Sequence, residues 1–570
     1  MKRLKTMIFS AIVALILVGC KSTQIAITPP TFDEAILTPA KKGTLTEKAL
    51  KTWSHLDVQS DSVAGMSLAK AYKFLEGKKA NSVIVAIADS GIDIEHEDLK
   101  DVLWINEDEV KDNNIDDDNN GYVDDIYGWN FLGNAAGDNV SIDQLEITRI
   151  VKRGRDKFGA KKASEIAEKD KKEFEQFLKM NQEYKATLVE KNTEIQQMEE
   201  TLYNLKQVQV NFDAVKEMAK TDSLTLDIVQ KLDPPSLQGI MQKQHIEGIL
   251  KQGMNEADLL DYKNQVENYT KEIKKAMKGY DLDMNYRQSL GDDLYDISDK
   301  FYGNSNVIGD KDSAKHGTHV GGIVAASRNN NIGAVGVANN VKLMTVRIVP
   351  DGDEHDKDVA LGIRYAVDNG AKIINTSFGK RFSPNKQWVY DALKYAAEKD
   401  VLIVNAAGND GKNIDVRNSF PSDSKDLLTE FVDNVITIGA SSLHYDKQLP
   451  ANFSNYGKIN VDIFAPGVDV YSTIPNNKYE PLNGTSMAAP STAGVAALIR
   501  GYYPNLSAKE VKYILMSSGV KINFEVIKPG SQNEKNPEGT MIPFSELSVS
   551  GRIVNAYNAL QLADYVSNKK

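Results

Sequence analysis

Val83-Ile84-Val85-Ala86-Ile87-Ala88 is an unbroken apolar run that ends in Asp89-Ser90-Gly91. It has no polar residue on alternate positions and so no solvent face, which is how strands inside parallel sheets read. Further apolar strands are predicted near 343–348, 372–375, 401–405 and 435–439, with helices between them near 358–369 and 386–398. Another helix is expected near 553–566. This alternation predicts an α/β fold, a doubly wound and mostly parallel sheet flanked by helices. A carboxylate such as Asp89, at the C-terminal end of a buried strand, lies where open α/β sheets place their sites.

Between the first strand and the rest, the composition changes. From about 141 to 285 the chain is rich in Lys, Glu, Gln and Met. Phe174, Phe177, Tyr184, Leu188, Ile195, Met198, Leu202 and Leu205 recur at steps of three, four or seven, the seam of an amphipathic helix. A second helical stretch near 257–277 follows the breaker Asp233-Pro234-Pro235. An inserted antiparallel helical hairpin is expected, its seam packing on its own partner.

The first 20 residues read as a targeting segment: Lys2, Arg3 and Lys5, then an apolar stretch too short to span a membrane comfortably. It ends in Leu17-Val18-Gly19-Cys20, which resembles the lipobox of bacterial lipoproteins. That resemblance implies lipidation of Cys20, export, and anchoring to the bacterial cell envelope, with the outer membrane the expected site. Cys20 is the only cysteine, so core burial or bound ions must do what disulfides do elsewhere. The net charge of −11 argues against nucleic acid as a partner. The expected division is a signal segment 1–20, a tether and N-terminal arm 21–55, a catalytic domain in two parts, 56–140 and 286–570, and the insertion 141–285.

In the acidic loop 112–125, Asp116, Asp118 and Asn120 alternate before Gly121, with Asp124 and Asp125 beyond, as oxygen ligands of Ca²⁺ do. The bidentate Glu of an EF-hand is missing, Tyr127 standing in its place. The alternative is a solvated acidic turn.

Asn483-Gly484-Thr485-Ser486-Met487-Ala488-Ala489-Pro490 opens a run of small apolar residues that reads as a buried helix. Ser486 at its start is either a helix cap or a nucleophile placed beside free N–H groups. His316 and His319 lack the spacing and the glutamate of a zinc motif. In a Gly/Ala-rich helix start His316 suits a general base, and His319 a packed structural role. Asp89, His316 and Ser486 then supply an orienter, a base and a nucleophile. A lipase-type elbow is excluded, because the residue order is wrong and Gly484-Thr485-Ser486-Met487-Ala488 lacks its final glycine.

Ala88-Asp89-Ser90-Gly91 with His96, Asp98 and Leu99, His316-Gly317-Thr318-His319-Val320, and Gly484-Thr485-Ser486-Met487-Ala488-Ala489-Pro490 together resemble the subtilisin-like serine peptidases. The resemblance implies peptide-bond hydrolysis through an acyl-enzyme, with protein or peptide substrates and no cofactor for catalysis. It implies Asn409, in Ala406-Ala407-Gly408-Asn409, as an oxyanion donor. It also implies Ser377, Phe378 and Gly379 as an edge that pairs with substrate, walling a pocket with Ala406, Ala407 and Gly408. Asp98 and Asn330 match a calcium-binding aspartate and loop of the family.

Three features depart from the pattern. The insertion puts His316 227 residues after Asp89. Little room separates Cys20 from the catalytic core for a folding propeptide. Lys380 stands where a second glycine is common, and is expected to narrow or charge the cleft. A base at His316 predicts activity that falls below about pH 6.5. The competing reading is a binding protein on a degenerate peptidase scaffold.

Overall fold

The computed structural model describes residues 30–32 and 45–570. The targeting segment, Cys20 and most of the tether lie outside the described residues.

Nine strands form the main sheet. In chain order they include β1 (Val83–Asp89), β2 (Gly128–Asn130), β3 (Val341–Arg347), β4 (Ile373–Thr376), β5 (Leu402–Ala406), β6 (Val435–Ser441) and β7 (Ile463–Pro466). Two hairpins, β8 (Val470–Ile474) with β9 (Lys478–Leu482) and β11 (Glu525–Ile527) with β12 (Met541–Pro543), stand apart from it. β10 (Val520–Lys521) and β13 (Arg552–Ile553) complete the sheet, in the order β10-β13-β7-β6-β5-β4-β1-β3-β2. All neighbours are parallel except β10 with β13. The chain therefore winds outward from β1 in both directions, and the winding reverses between β1 and β4. Such a reversal opens a crevice at the carboxyl ends of the strands.

β5, β6 and β7 are buried at every residue, as expected of strands covered on both faces. The helix Thr485–Tyr502 runs under the sheet, buried along nearly its whole length. Its Ala and Gly residues allow that closeness: a Cβ on Gly494 would lie 2.5 Å from Val337 Cβ. The end of the expected arm is not a tether. Trp53 is buried, and its indole N–H donates to the Val468 and Asp469 carbonyls at 3.1 and 3.2 Å.

The insertion carries one helix of 49 residues, Lys171–Ala219, about 75 Å long at 1.5 Å per residue. Its return arm has two helices, Leu237–Lys251 and Glu256–Ala276, broken at Gly253. Asp233-Pro234-Pro235 lies in the tip between the arms. The seam residues Leu188, Ile195, Met198, Leu202 and Leu205 are only half-buried, and the packed clusters sit at the two ends. At the base, Ile147, Val151, Phe158, Phe174, Phe177 and Tyr184 form one cluster. At the tip, Phe212, Val215, Val229 and Ile246 form the other. Among the described residues no helix is long and apolar enough to cross a membrane.

Candidate active site

Asp89 is the last residue of β1 and is 1% exposed. His316 is the second residue of the helix Lys315–Ala325, and its Nδ1–H donates to Asp89 Oδ1 at 2.7 Å. The Ser90 N–H donates to the same oxygen at 2.8 Å, which fixes the carboxylate. Close approach of the histidine helix depends on Gly317, where a Cβ would lie 2.2 Å from Gly91 O. Burial lowers the pKa of His316, but the Asp89 carboxylate outweighs it and the net shift is upward. His319 differs. It is fully buried, its Nε2–H donates to Glu480 O at 3.0 Å, and burial pushes its pKa down to about 3. It is a neutral structural residue.

Ser486 is not a helix cap. Gly484 is the N-cap of Thr485–Tyr502, with no side-chain cap bond. The Ser486 hydroxyl donates to Ser377 O at 3.1 Å. No hydrogen bond joins it to His316 among the described residues. Catalytic hydrogen bonds are often loose before substrate binds. Pro490, inside the same helix, has no N–H to offer the carbonyl four residues back. That carbonyl belongs to Ser486, and the Ser377 hydroxyl donates to it instead at 2.9 Å. Ser377 thus holds the serine from both sides, at the end of β4 beside the winding reversal.

Asn409 is fixed by the residue before the serine. Its Oδ1 accepts from Thr485 N and Thr485 Oγ1 at 2.8 and 2.9 Å, which leaves its Nδ2 free to donate. A Cβ built on Gly484 would lie 3.5 Å from both Asn409 Nδ2 and Ser486 N, so the two nitrogens border one small space. The Ser486 N–H is in the first helical turn, where no carbonyl precedes it to accept. Donors converging there can stabilise an oxyanion formed on a carbonyl attacked by Ser486. Thr485 and Asn455, whose Oδ1 accepts from Asp410 N and Lys412 N, were not singled out by sequence. Thr485 is legible in hindsight only as a hydroxyl beside the serine, and Asn455 carries no motif.

The cleft at this site has a volume of about 420 Å³. Phe378, Gly379, Ala406 and Gly408 line it. Ser377 and Ala407, also expected to contact substrate, do not line it. Ser377 is 3% exposed and turned to Ser486, and Ala407 packs in the core, because side chains alternate along a strand. Lys380 borders the cleft without charging it. Its Nζ is buried, 2.9 Å from Glu146 Oε2 and 2.9 Å from Asp356 Oδ1. Burial lowers its pKa, but those carboxylates and Glu354 push it up to about 12.

The expected calcium residues divide. Asp98 and Asn330 touch, but Asn330 presents its Nδ2–H to Asp98 Oδ1 at 2.6 Å, and Ala334 N donates to Oδ2. Both carboxylate oxygens face N–H donors, as those of Glu109 and Asp118 in the acidic loop also do. In the acidic loop, Asp116 accepts from Asn120 N and Gly121 N, and Asp124 from Asn113 N and Asn114 N. These carboxylates shape the turn. Asp118 and Asp125 join a carboxylate cluster able to hold a cation, with Glu109, whose oxygens lie within 4.8 Å of one another. Asn120 stands beside it, its Nδ2 donating to Asp118 and Asp125. Asp125 is fully buried and its pKa is raised by that burial to about 6. Three hard carboxylates at this spacing fit Ca²⁺.

Residues 238–540, just over half of the chain, match the Subtilase family. The match begins inside the insertion, so it includes His316, Asn409 and Ser486 but not Asp89. Subtilisin DY of Bacillus licheniformis is 39% identical over 216 residues, covering 37% of this chain and 72% of that protein. The cell wall-associated protease of Bacillus subtilis is 38% identical over 238 residues, covering 42% of this chain but only 24% of that protein. A solved cold-adapted subtilisin-like serine proteinase is 27% identical, over 41% of this chain and 74% of its own, with a TM-score of 0.32 that adds nothing to the assignment.

Proposed function

Because the chain belongs to the subtilase family, we propose that it is a serine endopeptidase whose reacting groups are Asp89, His316, Ser486 and Asn409. The observation that carries the reading is the buried Asp89 carboxylate, 2.7 Å from His316 Nδ1 at the carboxyl end of a central strand. That contact fixes the tautomer in which Nε2 is free to take a proton.

Ser486 Oγ attacks the scissile carbonyl carbon as its proton passes to His316 Nε2. The oxyanion accepts hydrogen bonds from Ser486 N–H and Asn409 Nδ2–H. Collapse breaks the C–N bond, and His316 returns the proton to the leaving amine. Water then attacks the acyl-enzyme, giving its proton to His316, and Ser486 regains its hydroxyl proton as the acid leaves. The substrate backbone pairs beside Phe378 and Gly379. Replacing Asn409 with Ala should reduce kcat about 10²- to 10³-fold on a quenched-fluorescent peptide. Unchanged turnover would remove Asn409 from the mechanism.

The same chain is a lipoprotein, exported and anchored to the outer membrane through Cys20, on the strength of its basic end, short apolar stretch and Leu17-Val18-Gly19-Cys20. Labelling with a palmitate analogue should mark wild type and not Cys20→Ala. Ca²⁺ binds at Glu109, Asp118 and Asp125 as a structural ion. Added Ca²⁺ should raise Tm in wild type and not in Asp118→Asn. Equal melting with and without the ion would exclude the site.

A further inference from the structure

Part of the cleft lining does not come from the sheet or its flanking helices. Leu145 and Ile147, at the start of the helix Glu146–Phe158, and Tyr280, just after the return arm, border the same cleft as Ser486 and Phe378. All three belong to the insertion. Leu145 and Tyr280 are half-buried, and they pack on the insertion's base cluster together with Phe382, which follows the Phe378–Arg381 edge. The charged side chain that the long helix adds to the cleft, Glu183, is paired with Arg381. Thr187 of the same helix also borders the cleft, so the apolar part of what the insertion presents is Leu145, Ile147 and Tyr280.

This wall is fixed rather than hinged. The Leu145 N–H donates to Gly279 O at 2.9 Å, and Gln144 Nε2 donates to Asp281 O and Met284 O at 2.5 and 3.0 Å. The Tyr184 hydroxyl donates to Tyr280 O at 2.6 Å. Glu146 then ties the wall to the peptidase part. Its N–H donates to Asp353 Oδ2 at 2.8 Å, and its carboxylate meets Lys380 and, at 2.6 Å, Arg149. Arg149 in turn donates to Asp353 O and Glu354 O at 2.9 and 3.1 Å. Segments that open locally have few buried contacts, and this junction has many.

We propose that the insertion is a specificity element, in which Leu145, Ile147 and Tyr280, with Phe378 and Phe382, form an apolar subsite for a bulky apolar substrate side chain. The subsite lies on the acyl side of the scissile bond, because the edge it adjoins leaves the serine at Ser377 and is the edge expected to pair with substrate. The inference rests on the peptidase reading above. It gives the helical hairpin a direct role in choosing substrate, through its base and not its tip.

The test uses the full chain and quenched-fluorescent peptides carrying Leu, Phe or Ala at each of four positions before the scissile bond. Wild type should prefer Leu or Phe to Ala at one of these positions. Leu145→Ala and Tyr280→Ala should each reduce that preference about tenfold, chiefly through KM, while Tyr280→Phe keeps it. Leu145→Trp, which fills the subsite, should turn the preference toward Ala and serves if the alanine variants melt below the assay temperature. An unchanged preference in variants that still cleave would overturn the inference and leave the peptidase reading standing. No Ser486-dependent cleavage of any peptide by wild type would overturn both.

Discussion

The sheet and the helical insertion are held together by different means. Every residue of β5, β6 and β7 is buried, and Asp89, Ser377 and Ala406 are placed by adjacent strands of that packed layer. In the 49-residue helix only Phe174, Phe177, Met180, Tyr184, Phe212 and Val215 are buried, near its two ends. Tight packing fixes positions to fractions of an ångström, as a reacting constellation requires. A half-buried seam holds a shape but not a reacting geometry. The lesson is that the sheet end has the packing a reacting constellation needs, whereas the insertion meets the cleft only at its base.

The largest expected effect breaks the sheet end. Asp89→Asn should lower kcat about 10⁴-fold, because an amide at this position favours the wrong histidine tautomer. Leu202→Ala in the seam should leave kcat unchanged in the same assay. A comparable loss from both would mean that the insertion shares in the chemistry.

The second test acts on the junction. Lys380→Ala leaves the buried Glu146 and Asp356 carboxylates without their lysine, and should cost about 3–5 kcal/mol in urea unfolding. A loss below about 1 kcal/mol would mean that the junction is wetter and looser than described.

Packing supplies the third. Leu402→Ala, in the fully buried β5, should cost about 2–5 kcal/mol. Leu202→Ala, half-buried, should cost less than about 1 kcal/mol, since it removes less buried area and leaves no closed cavity. Equal losses would erase the distinction drawn between the two regions.

The smallest effect is a shift in pH dependence. His316 must be neutral to accept the serine proton, and the Asp89 carboxylate stabilises its protonated form. Activity should therefore be full at high pH and fall as pH drops through a value above 6.5, the ordinary histidine pKa. The acid limb of kcat/KM against pH should lie above 6.5 in wild type and move lower in Asp89→Asn.

Much of this was legible in the chain. The run Val83–Ala88 announces a buried strand because both its faces are apolar, and the helix Lys386–Glu398 was placed to the residue. β2, β10 and β13 have three residues or fewer, too few to show a period. At the site, Asp89 and His316 could be read from their motifs, and they do touch. The side chains of Ser377 and Ala407 turn away from the cleft while those of Phe378 and Ala406 line it, a distinction that a segment read as a whole does not carry. One partner of Lys380, Glu146, lies 234 residues earlier, and no local pattern records such a contact. The same limit hid Glu109 from the acidic loop: it reaches Asp118 only because the turn folds back upon it.

The measurement that bears most directly on the account is labelling by a serine-reactive fluorophosphonate, with the folded wild type compared with Ser486→Ala. If Ser486 is the nucleophile, wild type should be labelled, with labelling abolished in the variant. Folded wild type that takes no label, or a Ser486→Ala variant labelled equally well, would contradict the assignment of Ser486 as the nucleophile.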